Sequence, residues 1–532
     1  MSRCLEHRVA TACAMSERPL DAGLRTTMLQ SMNSYVLAID QGTTATTVLL
    51  VSQSGKTIGR ATTELPQHFP KPGWVSHDAQ EIWATVEKSV IEAISSAGIR
   101  GEEIAAIGVA NQRETTIVWD RATRKPIGPA VVWQCVRTAG ICDELRADSN
   151  FAALVVQRTG LIVDPYFSAT KISWLLDSVT GARQRAERGE LAFGTVDCYL
   201  ASELTGGAIH VTDVTNASRT MLMDLSRCEW DDDLCEAFHV PTAMLPRIVG
   251  NAQVIGRTGA VGFLPDGIPI AALAGDQQAA LFGQACFLPG DAKCTYGTGA
   301  FILMNTGGEP IRSRHGLVST VAWRIGQSTT YALEGSAFVA GACVQWLRDG
   351  LGIIRNASEI EALARSVSSS DGVVFVPALA GLGAPHWDSD ARGAIMGLSR
   401  GTTSAHLARA TLEGIAFEVH DLLEAMAKDA DRPIERLRVD GGACQSDLML
   451  QFQADISRVV VDRANDIEST ARGAAWLAGL GIGLFERPSD LAQTLVCSAS
   501  FRPQMTDADR HAHLHRWRSA LERTVSNLAE KP

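Results

Sequence analysis

A single device, used twice, constrains this chain more than any other feature: a short apolar strand, a polar Gly/Thr turn and an apolar strand running back. The first copy is the strand Tyr35–Asp40, the turn Gln41-Gly-Thr-Thr44 and the run Val48–Val51, which reverses through Ser54-Gly55 into a further strand near Thr57–Thr62. The second is Ala292–Tyr296, Gly297-Thr298-Gly299 and Phe301–Met304. Each copy has its own run of alternating helices and strands. Asp78–Ile94 is amphipathic and reads as a helix, Ile104–Val109 as a buried strand ending at Asn111-Gln-Arg-Glu114, and Ala130–Trp133 as a short strand after Pro129. Ile268–Ala274 is a strand that runs into Gly275-Asp276-Gln277-Gln278. Such alternation predicts α/β layers.

In the second half, Val373–Val376 reads as a strand before the Gly-rich loop Ala380–Pro385. A helix is expected between His406 and Met426, because Ala408, Leu412, Ile415, Val419, Leu422 and Met426 keep a three/four spacing. Leu437–Asp440 is a strand entering Gly441-Gly442, and a helix should follow from about Asp447. The expected domains are therefore 34–288 and 289–485, with the boundary at Leu288–Asp291. A helical tail, 486–532, is polar from about Pro503 and is expected to pack on the outside. Residues 1–33 contain both Arg and acidic residues and no apolar core of a signal, and read as a disordered extension.

Composition narrows the function. The net charge of −11 argues against nucleic acid as a partner, and no apolar run reaches the roughly 18 residues of a membrane span. Any site for a polyanion must therefore be made locally, by Gly-rich turns and helix N-termini. The 12 cysteines form no Cys-x-x-Cys pair and read as free thiols of a reducing, cytoplasmic compartment. His511, His513 and His515 alternate, a pattern that suits a solvated helix better than a metal tract.

Phosphate requires N–H donors and close backbone approach, and both Gly/Thr turns offer them. One such turn alone would be an ordinary β-turn. Two in matched positions, with Gly441-Gly442 as a third, point to a nucleotide. Asp40 and Asp276 stand at the C-terminal ends of predicted buried strands, where open α/β sheets place ligands. Either could equally be a turn former or a cap. Phosphoryl transfer needs one acid group for magnesium and one to accept a hydroxyl proton.

In these turns and the segments around them, the chain resembles the FGGY family of carbohydrate kinases from about Tyr35 to Arg502. The resemblance is carried by Asp40-Gln-Gly-Thr-Thr44, Pro72-Gly-Trp-Val75, Asn111-Gln-Arg-Glu-Thr-Thr116, Val132-Trp-Gln-Cys135 and Asp164-Pro-Tyr-Phe167. Further motifs are Asp213–Thr220, Gly275–Gly283, Tyr296–Gly299, Gly381–Pro385, Ala391–Ile395, Val439–Gly442 and the span Gly393–Glu413. It implies two actin-like, ribonuclease H-like ATPase domains flanking a central cleft, and ATP-dependent phosphorylation of glycerol to sn-glycerol 3-phosphate. By resemblance, Asp276 is the general base and Asp40 orders Mg2+ through water. Arg113, Glu114, Tyr166, Asp276 and Gln277 bind the hydroxyls, and Trp133 and Phe301 wall the pocket. Thr43, Thr44, Gly297 and Thr298 reach the phosphates, and Gly341, Gln345, Gly442 and Ser446 line the nucleotide site. The family also implies a homodimer or homotetramer.

Two positions depart from the family pattern. The first turn usually continues to an Arg, where this chain has Thr47, and the adenosine loop usually has Asn where this chain has Ser446. Altered nucleotide affinity is the expected consequence. A Gly-Gly-x-Arg loop that binds fructose 1,6-bisphosphate in some bacterial members has no Arg in the corresponding Gly262–Gly267, so no inhibition through it is expected. The rival readings are a kinase of the same family acting on another polyol or ketose, an actin-like ATPase without a polyol pocket, and a catalytically impaired homologue.

Overall fold

The computed structural model describes residues 34–388 and 390–525. The extension 1–33 lies outside the described residues. In chain order the strands of the two main sheets are β1 (Tyr35–Gln41), β2 (Ala45–Ser52), β3 (Thr57–Glu64), β4 (Ile104–Asn111), β5 (Gly256–Arg257) and β6 (Pro269–Gly275), then β7 (Ala292–Tyr296), β8 (Ala300–Gly307), β9 (Val318–Ile325), β10 (Ser328–Ala337), β11 (Arg436–Asp440), β12 (Val460–Ala464) and β13 (Cys497–Phe501). The helices used below are α1 (Ala79–Ala97), α2 (Ser168–Ser178), α3 (Asp276–Gly283), α4 (Gly341–Asp349), α5 (Ser404–Asp429), α6 (Asp447–Ser457), α7 (Ser469–Gly481) and α8 (Asp507–Glu522).

The first sheet has the order β5-β6-β4-β1-β2-β3 and the second β9-β10-β8-β7-β11-β12-β13. The duplication seen in the sequence recurs in the topology. β1–β2–β3 and β7–β8–β10 are antiparallel, and β1 and β7 each pair on their other edge with a parallel strand, β4 and β11. The parallel strands of the first sheet, β1, β4 and β6, are apolar over most of their length, as strands covered on both faces must be. The six spaced residues of α5 are all buried, and the helix extends beyond the expected ends at both sides. Asp78 caps α1, its side chain accepting from the Gln80 N–H.

The tail differs from expectation in two ways. It contributes β13, which pairs antiparallel with β12 and closes the edge of the second sheet. Its helix α8 is amphipathic in effect: Trp517 is buried, stacks on Phe417 at 5.0 Å and donates from Nε1 to Asp421 Oδ2 at 2.7 Å. His513 of the alternating tract lies 5.3 Å from the Phe452 ring. The expected strand Ala130–Trp133 is shorter, ending at Val131, so Trp133 stands in the connection after it. The ten cysteines among the described residues are free, and all but Cys497 are buried. No helix among the described residues is long and apolar enough to cross a membrane.

Helix α7 follows β12 in the chain but lies on the first sheet, its Ala471, Ala474, Ala475 and Ala478 packed with Val36, Ala38, Ala106 and Ala271. It crosses α3 with backbones almost touching. A Cβ on Gly473 would meet the Ala279 carbonyl oxygen at 1.8 Å, and one on Gly283 would meet that of Ser469 at 2.0 Å. Only glycines allow this approach.

Candidate active site

The turns between paired strands carry the polar residues of the site. Gly42 N–H donates to the Ala45 carbonyl at 2.9 Å and closes the first turn, leaving Thr44 exposed at its tip. Thr298 is exposed at the tip of the second. The N-terminus of α4 sits on that turn: Ala340 and Ala342 N–H donate to the Thr298 carbonyl and Gly341 N–H to that of Gly297, and a Cβ on Gly341 would lie 2.6 Å from the Gly297 oxygen. Gly441 approaches from the other side, at φ 86°, where a Cβ would meet Tyr296 O at 2.5 Å. Gln345 and Gly442 are exposed beside them. The structure thus brings Gly297, Thr298, Gly341 and the Gly441-Gly442 turn together. Ser446 is nearly buried, and its Oγ caps α6 by accepting from Met449 N–H at 3.2 Å, leaving only its own hydrogen to donate. Thr47 faces Thr62 across the sheet at 3.1 Å.

Beyond the end of β4 the chain makes a strained bend. Glu114 has φ 60°, a left-handed conformation that costs a non-glycine residue roughly 1–2 kcal/mol. Three side chains hold it by donating to its carbonyl: Ser168 Oγ and Thr116 Oγ1 at 3.1 Å and Lys171 Nζ at 3.3 Å. Lys171, on α2, is fully buried, and burial brings its ammonium down to about 8. Gln112 ties the same bend to the first turn, its Nε2 donating to Gln41 Oε1 and the Gly42 carbonyl at 3.1 Å.

Asp276 opens α3 directly after β6. Arg113 Nε lies 3.2 Å from its Oδ1, and Gln277 N–H donates to the same oxygen at 2.7 Å. The Asp276 side chain is 25% exposed where that of Arg113 is 2%, so Asp276 is the group of the pair that a ligand can reach. Gln277 accepts from Lys293, a fully buried cation whose Nζ also donates to Thr295 Oγ1 at 2.9 Å. The two residues expected as walls meet each other and Tyr166, expected at the hydroxyls: Trp133 makes edge contacts with Phe301 at 5.9 Å and Tyr166 at 5.6 Å. Trp133 Nε1 also donates to Thr43 Oγ1 at 2.8 Å, linking wall and turn. A cleft of about 750 Å³ runs from Trp133 and Tyr166 past Asp164 and Phe338 to Trp387.

Carboxylates crowd this floor. Burial, then Asp276, Glu468 and Asp440, push the Asp40 carboxyl well above its ordinary range. Burial also raises Asp276, against the pull of Arg113 and Lys293. Asp440 Oδ2 accepts from Gln284 and Ser469, while its buried Oδ1 has no partner.

Sequence reasoning missed four residues of the site: Arg219, Lys171, Lys293 and Glu334. Arg219 lies in a motif quoted above without a role. Lys293 and Glu334 lie within strands, where a charged residue on a buried strand was the available signal.

The N-terminal domain model of the FGGY family of carbohydrate kinases matches residues 35–283, and the C-terminal domain model matches 292–482. A glycerol kinase of Myxococcus xanthus is 54% identical over 491 residues, covering 92% of this chain and 99% of that protein. One from Deinococcus radiodurans is 53% identical over 493 residues, covering 93% and 98%. The crystal structure of Plasmodium falciparum glycerol kinase with ADP superimposes with a TM-score of 0.86 at 35% identity, covering 93% of this chain and 99% of that one. Two hairpins of one design, the Gly/Thr turns they carry and these matches along both halves have one explanation: the chain belongs to the FGGY family of carbohydrate kinases.

Proposed function

We propose that the chain transfers the γ-phosphoryl group of ATP to a terminal hydroxyl of glycerol, giving sn-glycerol 3-phosphate and ADP. The observation that carries this reading is Asp276, a reachable carboxylate at the end of a buried strand, set against Arg113 and beside the Trp133, Tyr166 and Phe301 walls. Glycerol is small, uncharged and hydroxylated on every carbon. Aromatic walls suit its C–H faces, and the carboxylate, amide and guanidinium groups of Asp276, Gln277, Glu114 and Arg113 suit its hydroxyls. Asp276 takes the hydroxyl proton as the oxygen attacks in line. Thr43, Thr44 and Thr298, with the N–H groups of both turns, hold the phosphates, and Gly341, Gln345, Gly442 and Ser446 line the rest of the nucleotide. The first unit, 34–288, carries the acceptor pocket in this reading and the second, 289–485, the adenosine end.

The residues fit a magnesium ion. Asp276 and Asp440 both repel the Asp40 carboxylate, and Asp440 has an unpartnered buried oxygen. Among the described residues no three metal-ligating side chains form a cage, which suits an ion that keeps its waters and leans on one carboxylate and the phosphates. Asp40 would hold it through water, and its charge would offset that of the transferring group. A cytoplasmic location and a homodimeric or homotetrameric state belong to the same reading and rest on the family resemblance; light scattering on the purified protein tests the latter.

The test is ADP release from MgATP against glycerol, tetritols, pentuloses and dihydroxyacetone. Turnover with glycerol, reduced by several orders of magnitude in Asp276→Asn, is expected. Turnover with another polyol alone would move the function within the family.

A further inference from the structure

Beneath the acceptor pocket the buried charges form a closed circuit. Glu334 on β10 is 1% exposed, and both of its oxygens are engaged. Arg113 donates to it as a fork, Nη1 to Oε2 at 2.5 Å and Nη2 to Oε1 at 2.9 Å. Arg219 Nη2 donates to the same Oε1 at 3.0 Å. Arg219 also donates from Nε to Glu114 Oε1 at 2.6 Å, and Arg113 Nε faces Asp276. One carboxylate from the C-terminal family segment therefore holds two arginines of the N-terminal segment, and each arginine holds an acid of the acceptor site.

We propose that Glu334 is a positioning residue for the acceptor site: by fixing Arg113 and Arg219 it sets where Glu114 and Asp276 present their oxygens, and so sets the affinity for the polyol. This rests on the reading of the pocket given above. A bidentate guanidinium–carboxylate pair fixes both distance and plane. Without it, the Arg113 fork is free to turn onto Asp276, its other acidic neighbour, and cover the oxygen that the substrate hydroxyl needs. Arg219, whose Nη1 already lacks a partner, would lose a second bond in a site closed to water. Charge is required as well as shape, because two buried guanidinium groups share this one carboxylate.

Steady-state kinetics of wild type, Glu334→Gln and Glu334→Asp, varying glycerol and ATP separately, test this. In Glu334→Gln the kcat/KM for glycerol should fall on the order of 100-fold, the effect of a misplacement near 1 Å, with a raised glycerol KM as part of the loss, while the ATP KM stays within about twofold. Glu334→Asp keeps the charge but draws it back by one methylene, and should fall between. A folded Glu334→Gln with glycerol KM within about twofold of wild type overturns the proposal, as does a fall in kcat with both KM values unchanged. If Glu334→Gln does not fold, Glu334→Asp decides by the same criteria. If wild type ignores glycerol and phosphorylates another polyol, the reading of the substrate fails, and Glu334 is judged by the KM for that polyol.

Discussion

At the scale of the residue, burial and Glu334 push the Asp276 carboxyl up, while Arg113 and Lys293 pull it down, and the upward push prevails. A proton acceptor works only when ionised, so activity is lost as pH falls through its pKa. Because that value stands above the ordinary aspartate value, the acid limb of kcat/KM for glycerol should lie above about pH 4. A profile that stays flat down to pH 4 would rule out Asp276 as the group that must be ionised. Asp276 was legible in the sequence as a carboxylate at the end of a predicted buried strand, whereas Arg113 and Glu114 were legible only through the family motif Asn111-Gln-Arg-Glu-Thr-Thr116. Glu334 and Lys293 were not. Inside a strand a single charge looks like the polar face of an ordinary alternating pattern, and only the fold shows that both faces are covered. The contacts that hold Arg113 were not legible either: its fork engages Glu334 and its Nε faces Asp276.

At the scale of the element, α5 carries acids that α8 covers. Glu418 has a buried Oε2 without a partner, and burial raises its carboxyl to about 8; Asp421, under Trp517, is raised to about 7 for the same reason. Both folded values exceed the unfolded ones, so the folded chain binds the extra protons. The stability this contributes is fully present below about pH 4 and is lost as pH rises through 7 and 8. His420 runs the opposite way: burial lowers it to about 4, so it costs stability only below its unfolded value of about 6.5. Above that pH the acids act alone. Glu418→Gln, neutral at every pH, should therefore melt higher than wild type at pH 9 and at the same temperature at pH 5, by calorimetry at both. Equal melting at pH 9 would mean that water reaches Glu418. The helix itself was legible, since its apolar spacing persists from Ala408 to Met426, about five turns. The strand β13 was not: Cys497-Ser-Ala-Ser-Phe501 does alternate, but over only five residues and with small, weakly apolar side chains, so the signal is faint, and as an edge strand it takes its pairing from β12.

At the scale of the molecule, the two hairpins told from the sequence that the chain holds two units of one design, but not how they are joined. Besides the Glu334 ion pairs, α7 joins them: it leaves the second sheet, crosses α3 and lies on the first. It touches both halves of the site: α3 begins with Asp276, and Ser469 at the start of α7 donates to Asp440, the residue before the Gly441 turn. No apolar periodicity could reveal this, because Ala471, Ala474, Ala475 and Ala478 would bury equally well against either sheet. The contact depends on Gly473. Alanine there places a methyl 1.8 Å from the Ala279 carbonyl oxygen, against backbone that no rotamer change can move. The helices must separate, and overpacking of this kind costs about 1–3 kcal/mol. Separation would shift Asp276 relative to the nucleotide turns, so Gly473→Ala should lower kcat as well as the melting temperature. Gly308→Ala, where an added Cβ meets nothing within 4 Å, serves as the control. The two variants together isolate the crossing. If Gly473→Ala matches Gly308→Ala in both measurements, α7 does not couple the base to the nucleotide turns. If it melts lower but keeps its kcat, the crossing holds the units together without setting their alignment.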